Sequence, residues 1–394
     1  MRCLLFFFLL TGCSKSLPVL SGPVLLDSIR AYLSNPSDSV TFDADYTETR
    51  TALDTLLAQG RTGRSGQDTL SLACIDGKQR ALGVHAPLSY TPDHPLPVVL
   101  WLHGGVNGTK PNRGAEVAHY FARESDSLYF LFAAPSGERG ATWYDPVGIT
   151  FIRDAVAEIK RRYAVDDNRV MLAGVSDGGT GCVAAANLIP APFAGYIVCS
   201  GFPPMLSAFG LPCFIENLRR APWLFVHSGK DPLYPGDTVK ALMERWTREG
   251  VPITFHYYPD MPHGLDYMPQ EKPAVMDFIS RTRRSGSPDT IEMRVLFPQR
   301  YAWVSVDSLT TAPVSLQAVR NGKSVIVRTE GAGRFSLYPD SDWTTPGDTL
   351  SITVNGTLLP PAIVRPSARF LLTFVKKEGD AGSAPLCQLS FAVR

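Results

Sequence analysis

The stretch LAGVSDGGTG, residues 172–181, sets Ser176 between glycines at alternate positions, with an acidic residue and a glycine run after it. Glycine is costly to order, so its concentration here signals a demand of the backbone. The pattern G-x-S-x-G fits a sharp strand-to-helix turn that exposes a serine hydroxyl, with small residues on either side relieving clash. The chemistry available to such a serine is nucleophilic attack on an acyl carbon. It needs a histidine to take the proton and a carboxylate to orient the histidine.

Three histidines lie downstream: His227, His256 and His263. The first two fall inside apolar runs and read as packed strand residues. His263 lies in YPDMPHGLDY, a Pro- and Gly-punctuated loop from which an imidazole can reach over a sheet edge. For the carboxylate, LFVHSGKDPLYP puts Asp231 in the loop after a strand, whereas Asp260 and Asp266 share the loop of His263 itself. Asp231 is therefore preferred, because the orienting group must approach from a separate loop. Acyl transfer also needs donors for the oxyanion. One expected donor is the backbone N–H of Asp177, at a helix N-terminus that favours negative charge. The second comes from LWLHGGVNG, where His103 supports the loop and either Gly105 or Val106 offers its N–H. Trp143 and Tyr144, on a loop before a helix, either line the substrate pocket or anchor that loop.

These residues need a scaffold. Short apolar runs at 98–102, 129–134, 170–174, 196–200, 223–227 and 253–258 alternate with helical periods at 150–163, 178–188, 239–249 and 274–281. Continuous apolar strands alternating with helices predict a mostly parallel sheet covered on both faces. A hairpin with an Asp76-Gly77 turn precedes them, and two short amphipathic helices, 24–33 and 46–59, precede that. Beyond SGSPDT the helical periods stop. Strand-like segments such as YAWVSVDSL, SVIVRT, RFSLYP and RFLLTFV follow at sandwich spacing. The expected organisation is an N-terminal linker with helices over 13–65, an α/β catalytic domain over 66–284 and a C-terminal all-β, sandwich-like domain over 285–394.

With these motifs in order (LHGG, GVSDGG, HSGKDPLYP, MPHG), residues 80–284 resemble an α/β-hydrolase. The closer likeness is to the esterase branch holding polyhydroxybutyrate-depolymerase-like and feruloyl-esterase-like proteins, with prolyl-oligopeptidase catalytic domains as neighbours. The resemblance implies Ser176, Asp231 and His263 as a triad. Two glycines follow His103 where hormone-sensitive-lipase-like relatives have three, which leaves Gly105 and Val106 as alternatives for the oxyanion hole. About twenty residues separate the strands at 196–200 and 223–227, too few for a large lid.

The N-terminus MRCLLFFFLLTGC has one basic residue and an apolar run too short to span a bilayer. It reads as a signal peptide over 1–12 whose ending resembles a bacterial lipobox. Cys13 would then be lipidated, and the protein held at the cell envelope, on the outer membrane. The five remaining cysteines show no metal-site or disulfide spacing, although a Cys199–Cys213 bridge is conceivable. No metal and no cofactor are expected. The chain has 394 residues, 44% hydrophobic and 19% charged, with a net charge of +1, which gives no electrostatic attraction for nucleic acid. The leading expectation is a lipid-anchored serine esterase acting on small or carbohydrate-borne esters. Two competitors are a serine peptidase of the prolyl-oligopeptidase type and a surface glycan-binding lipoprotein that stacks sugars on Trp303 and Trp343.

Overall fold

The structure, a computed structural model, describes residues 17–35, 39–108, 113–284 and 286–393. The signal peptide and Cys13 lie outside the described residues. Helices α1 (Gly22–Ser34) and α2 (Tyr46–Gln59) come first, then the hairpin β1 (Gly66–Ala73) and β2 (Gln79–Ala86). The following strands are β3 (Leu96–Leu102), β4 (Leu131–Pro135), β5 (Val165–Val175), β6 (Gly195–Cys199), β7 (Trp223–Ser228) and β8 (Ile253–Tyr258). Between and after them run helices α3 (Arg113–Val117), α4 (Ala122–Leu128), α5 (Pro146–Arg162), α6 (Asp177–Leu188), α7 (Ile215–Leu218), α8 (Gly236–Arg248) and α9 (Met268–Arg281).

The eight strands form one sheet in the order β1-β2-β4-β3-β5-β6-β7-β8. Pairing is antiparallel for β1–β2 and β2–β4, and parallel from β4 through to β8. The reason for the continuous apolar runs is visible in β3. Val98, Leu100 and Leu102 face a core shared with Phe151, Ile152 and Ile159 of α5 and Val183 of α6. The intervening Val99 and Trp101 face a second core shared with Val117 of α3 and Val275 and Ile279 of α9. A strand covered by helices on both faces has no polar side to show. This is an α/β-hydrolase fold. The chain leaves β3 towards β4 on one side and resumes at β5 on the other, so the loops after β3 and β5 diverge. Such a reversal opens a crevice at the carboxyl ends of the strands, where the site residues sit.

After α9 the chain builds two further sheets. Strands Thr290–Val295, Val314–Asn321, Ser324–Glu330, Thr349–Val354 and Thr357–Leu358 belong to one, and Gln299–Tyr301, Val304–Leu309, Ala332–Leu337 and Leu389–Ala392 to the other. Leu316, Val325, Val327, Phe335 and Leu337 share their common core. One expected strand is absent: RFLLTFV lies in a helix, α10 (Ala368–Glu378). Ser367 caps it by accepting the N–H of Phe370, and Gly379 ends it with a left-handed φ of +68°. Its apolar residues Leu371, Leu372 and Val375 pack on Leu25 and Ile29 of α1 and Leu53 and Leu56 of α2. The N-terminal helices are thus docked on the C-terminal region. The five cysteines from Cys74 to Cys387 are free, so Cys199 and Cys213 are not bridged.

Trp303 offers no face to a sugar, and Trp343 is partly buried. Trp303 is 1% exposed, and its indole N–H donates to the Pro288 carbonyl. Trp343 packs on Trp303 and donates to the Gly322 carbonyl, with the Arg320 guanidinium 5.1 Å from its ring centre.

Candidate active site

Ser176 stands between the last residue of β5 and the first of α6, with φ +58° and ψ −120°. An L-residue takes this conformation only where the surroundings enforce it. The enforcement comes from Gly174 and Gly178. A Cβ on Gly178 would lie 1.9 Å from the Leu102 carbonyl oxygen, and one on Gly174 would lie 2.5 Å from the Gly178 backbone. Gly104 is needed as well, because a Cβ there would come within 2.9 Å of the Ser176 Cβ. The turn, the β3 loop and the serine therefore fit only as a set.

The loops after β7 and β8 supply the other two groups. They lie close together because Gly229 has no side chain where Pro259 approaches, and the Lys230 N–H donates to the Met261 carbonyl across the gap. Asp231 uses both carboxylate oxygens. Oδ1 accepts the N–H groups of Leu233 and Tyr234 at 2.9 and 2.8 Å, which folds its own loop into an Asx turn. Oδ2 accepts Nδ1–H of His263 at 2.6 Å. Its side chain is fully buried, and these three donors compensate for the lost water. With its proton held on Nδ1, His263 presents the Nε2 lone pair to the Ser176 hydroxyl, 2.9 Å away. The competing carboxylates lie elsewhere: Asp260 pairs with Lys230 on the surface, and Asp266 is exposed.

Of the two open choices for the second oxyanion donor, one is occupied. The Val106 N–H donates to Asp177 Oδ2 at 3.0 Å. Gly105 adopts φ +70°, a conformation that suits glycine, in the loop facing Ser176. The Asp177 N–H belongs to the first helical residue of α6, where no intrahelical acceptor exists. His103 supports this loop from below. Its Nδ1 donates to the Gly104 carbonyl and its Nε2 accepts the Gly137 N–H. Burial lowers its pKa to about 4, so it is neutral around pH 7. His227 and His256 sit on β7 and β8, the former bonded to the Tyr234 carbonyl and the latter to Glu271.

Trp143 is not a pocket wall. It is wholly buried, its indole N–H donates to the His103 carbonyl at 2.7 Å, and Gly137 and Gly181 make room for its ring. Tyr144 is also buried, but its hydroxyl reaches Asp177 Oδ1 at 3.4 Å and its ring meets Phe209. A residue that sequence reasoning passed over completes this group. Tyr234, three positions after Asp231, donates its hydroxyl to the same Asp177 Oδ1 at 3.3 Å. Its ring stacks on Phe202 and stands edge-on to His263, with centroids 5.2 Å apart in each case. The DPLYP motif contained it, yet nothing in spacing alone pointed its hydroxyl inward. Among the described residues no cluster of metal-ligating side chains occurs.

Such an arrangement can remove a proton from a serine hydroxyl, hold an oxyanion between two backbone donors, and return the proton to a leaving group. No family model matches the chain. Carboxylesterase SOBER1 of Arabidopsis thaliana is 23% identical over 221 residues, covering 50% of this chain and 96% of the plant protein. The bifunctional acetylxylan esterase/xylanase of Neocallimastix patriciarum is 27% identical over 173 residues, 43% of this chain but only 24% of that protein. Thermogutta terrifontis esterase 2 superposes on 55% of this chain and 95% of its own, with a TM-score of 0.45 and 13% identity.

Proposed function

We propose that this α/β-hydrolase-fold chain is a serine carboxylic-ester hydrolase working through an acyl-enzyme, with Ser176 as nucleophile, His263 as base and Asp231 as its orienting carboxylate. The observation that carries the reading is the unbroken hydrogen-bond relay from Asp231 through His263 to a serine in a strained elbow. Ser176 Oγ attacks the ester carbonyl carbon while its proton passes to His263 Nε2. The carbonyl oxygen takes the negative charge and is held by the N–H groups of Asp177 and Gly105. Each such donor is worth roughly 10²- to 10³-fold in turnover. The C–O bond to the alcohol then breaks, and His263 gives its proton to the departing oxygen. Water, deprotonated by the same imidazole, frees the acid and restores the serine.

The similarity to a plant carboxylesterase along nearly its whole length supports an ester rather than a peptide as substrate. A small or carbohydrate-borne ester fits the short connection between β6 and β7, which carries only a 3₁₀ turn and α7 and leaves the serine uncovered by a large cap. Lipid attachment at Cys13 remains part of the reading, supported by the N-terminal sequence. Labelling with a fluorophosphonate probe tests the nucleophile: wild type reacts, and Ser176→Ala does not.

A further inference from the structure

The relay leaves one well-placed hydroxyl without a task. Tyr234 has its backbone N–H on Asp231, its ring edge against His263 and its hydroxyl on Asp177, the residue after the nucleophile. Stacking on Phe202 fixes the plane of the ring. Burial together with the nearby Asp177 pushes its phenol up to about 12. It is therefore a neutral donor at any ordinary working pH.

Tyr144 shares the same acceptor, Asp177 Oδ1, but is sealed by burial and by Phe209. Tyr234 is only partly buried. At 3.3 Å its bond to Asp177 is longer than a good O–H···O contact, so little is lost on breaking it. When it leaves, Asp177 keeps Tyr144 on Oδ1 and the Val106 N–H on Oδ2. One carboxylate, that of Asp177, thus holds the Tyr234 hydroxyl on Oδ1 and the oxyanion loop, through the Val106 N–H, on Oδ2.

We propose that Tyr234 is a further catalytic residue, whose hydroxyl turns from Asp177 to donate a hydrogen bond to the oxyanion formed when Ser176 attacks an ester. This rests on the serine-esterase reading above. A bond made only as charge develops stabilises the transition state over the bound substrate, so its loss lowers kcat and leaves KM in place.

The test compares wild type, Tyr234→Phe and Tyr144→Phe by steady-state hydrolysis of p-nitrophenyl acetate, by the rate of fluorophosphonate labelling, and by thermal melting. Phenylalanine keeps the ring stack, so the melting temperature of Tyr234→Phe stays close to wild type. The expected result is a fall in kcat of at least about tenfold in Tyr234→Phe, with KM within about twofold, labelling slowed in proportion, and a smaller loss in Tyr144→Phe. Tyr234→Phe with kcat within about threefold of wild type overturns the proposal. So does a change confined to KM, or an equal loss in Tyr144→Phe, which would place the effect on Asp177. A wild type that neither labels nor turns over the ester overturns the esterase reading itself; a reactive wild type with an unaffected Tyr234→Phe overturns only this inference.

Discussion

Replacing Asp231 by asparagine should disable the base while leaving the fold in place, and the structure says why. Two backbone N–H groups, of Leu233 and Tyr234, point at Oδ1 and require an acceptor there. The amide oxygen of an asparagine must take that position, which puts its NH₂ where Oδ2 now accepts His263 Nδ1–H at 2.6 Å. Two donors cannot face each other. His263 must then shed the Nδ1 proton and carry one on Nε2, aimed at Ser176, where no lone pair remains to accept the serine proton. In the serine-protease case this tautomer error lowers turnover roughly 10⁴-fold, equivalent to about 5 kcal/mol of barrier. Asp231→Asn is expected to cut kcat on p-nitrophenyl acetate by about 10²- to 10⁴-fold, with a melting temperature near wild type because both loop hydrogen bonds survive. A loss under about fivefold, or a larger loss in Asp260→Asn or Asp266→Asn, would refute the tautomer argument.

Trp143→Phe should lower stability by about 1–3 kcal/mol, through the lost bond to the His103 carbonyl, with KM unchanged; denaturant unfolding and steady-state kinetics check both halves. Gly178→Ala forces a Cβ against the Leu102 carbonyl and should destabilise by at least about 2 kcal/mol or fail to fold, read from melting and soluble yield. His103 is neutral when folded, with its pKa lowered to about 4, but it protonates near 6.5 when unfolded. The unfolded state therefore binds more protons between those values, and stability falls as pH drops from about 6.5 to 4, by as much as about 3 kcal/mol from this group. Unfolding midpoints against pH should show a shallower acid slope in His103→Gln than in wild type, and equal slopes would contradict this. For the N-terminus, Cys13→Ser should release the protein from the membrane fraction or block its processing, whereas a soluble wild type with an unmodified N-terminus would remove the anchor from the account.

The centre of the sheet was legible because burial on both faces favours unbroken apolar runs: β3 reads LPVVLWL and is buried throughout. The relay was legible because each member carries a local sign. Ser176 has its flanking glycines, His263 its Pro- and Gly-rich loop, and Asp231 its place after an apolar strand. Other features depend on contacts between distant segments. RFLLTFV reads as a strand until the apolar stripe of α10 is matched to α1 and α2, more than 300 residues earlier. The occupancy of the Val106 N–H follows from the direction of the Asp177 carboxylate, which no spacing rule gives. Trp143 read equally as a pocket residue or a loop anchor; its bond to the His103 carbonyl and the space left by the glycines at 137 and 181 decide for the anchor. Tyr234 escaped notice because its hydroxyl gains meaning only beside Ser176 and Asp177, more than fifty residues away in sequence.

The central claim is that Ser176 is the nucleophile, and covalent capture tests it most directly. Purified protein treated with a fluorophosphonate probe, digested and mapped by mass spectrometry should carry the adduct on the peptide containing Ser176. Ser176→Ala should give no adduct and no ester turnover, and His263→Ala should label far more slowly than wild type. An adduct on another residue, or labelling and hydrolysis that persist in Ser176→Ala, would contradict the account.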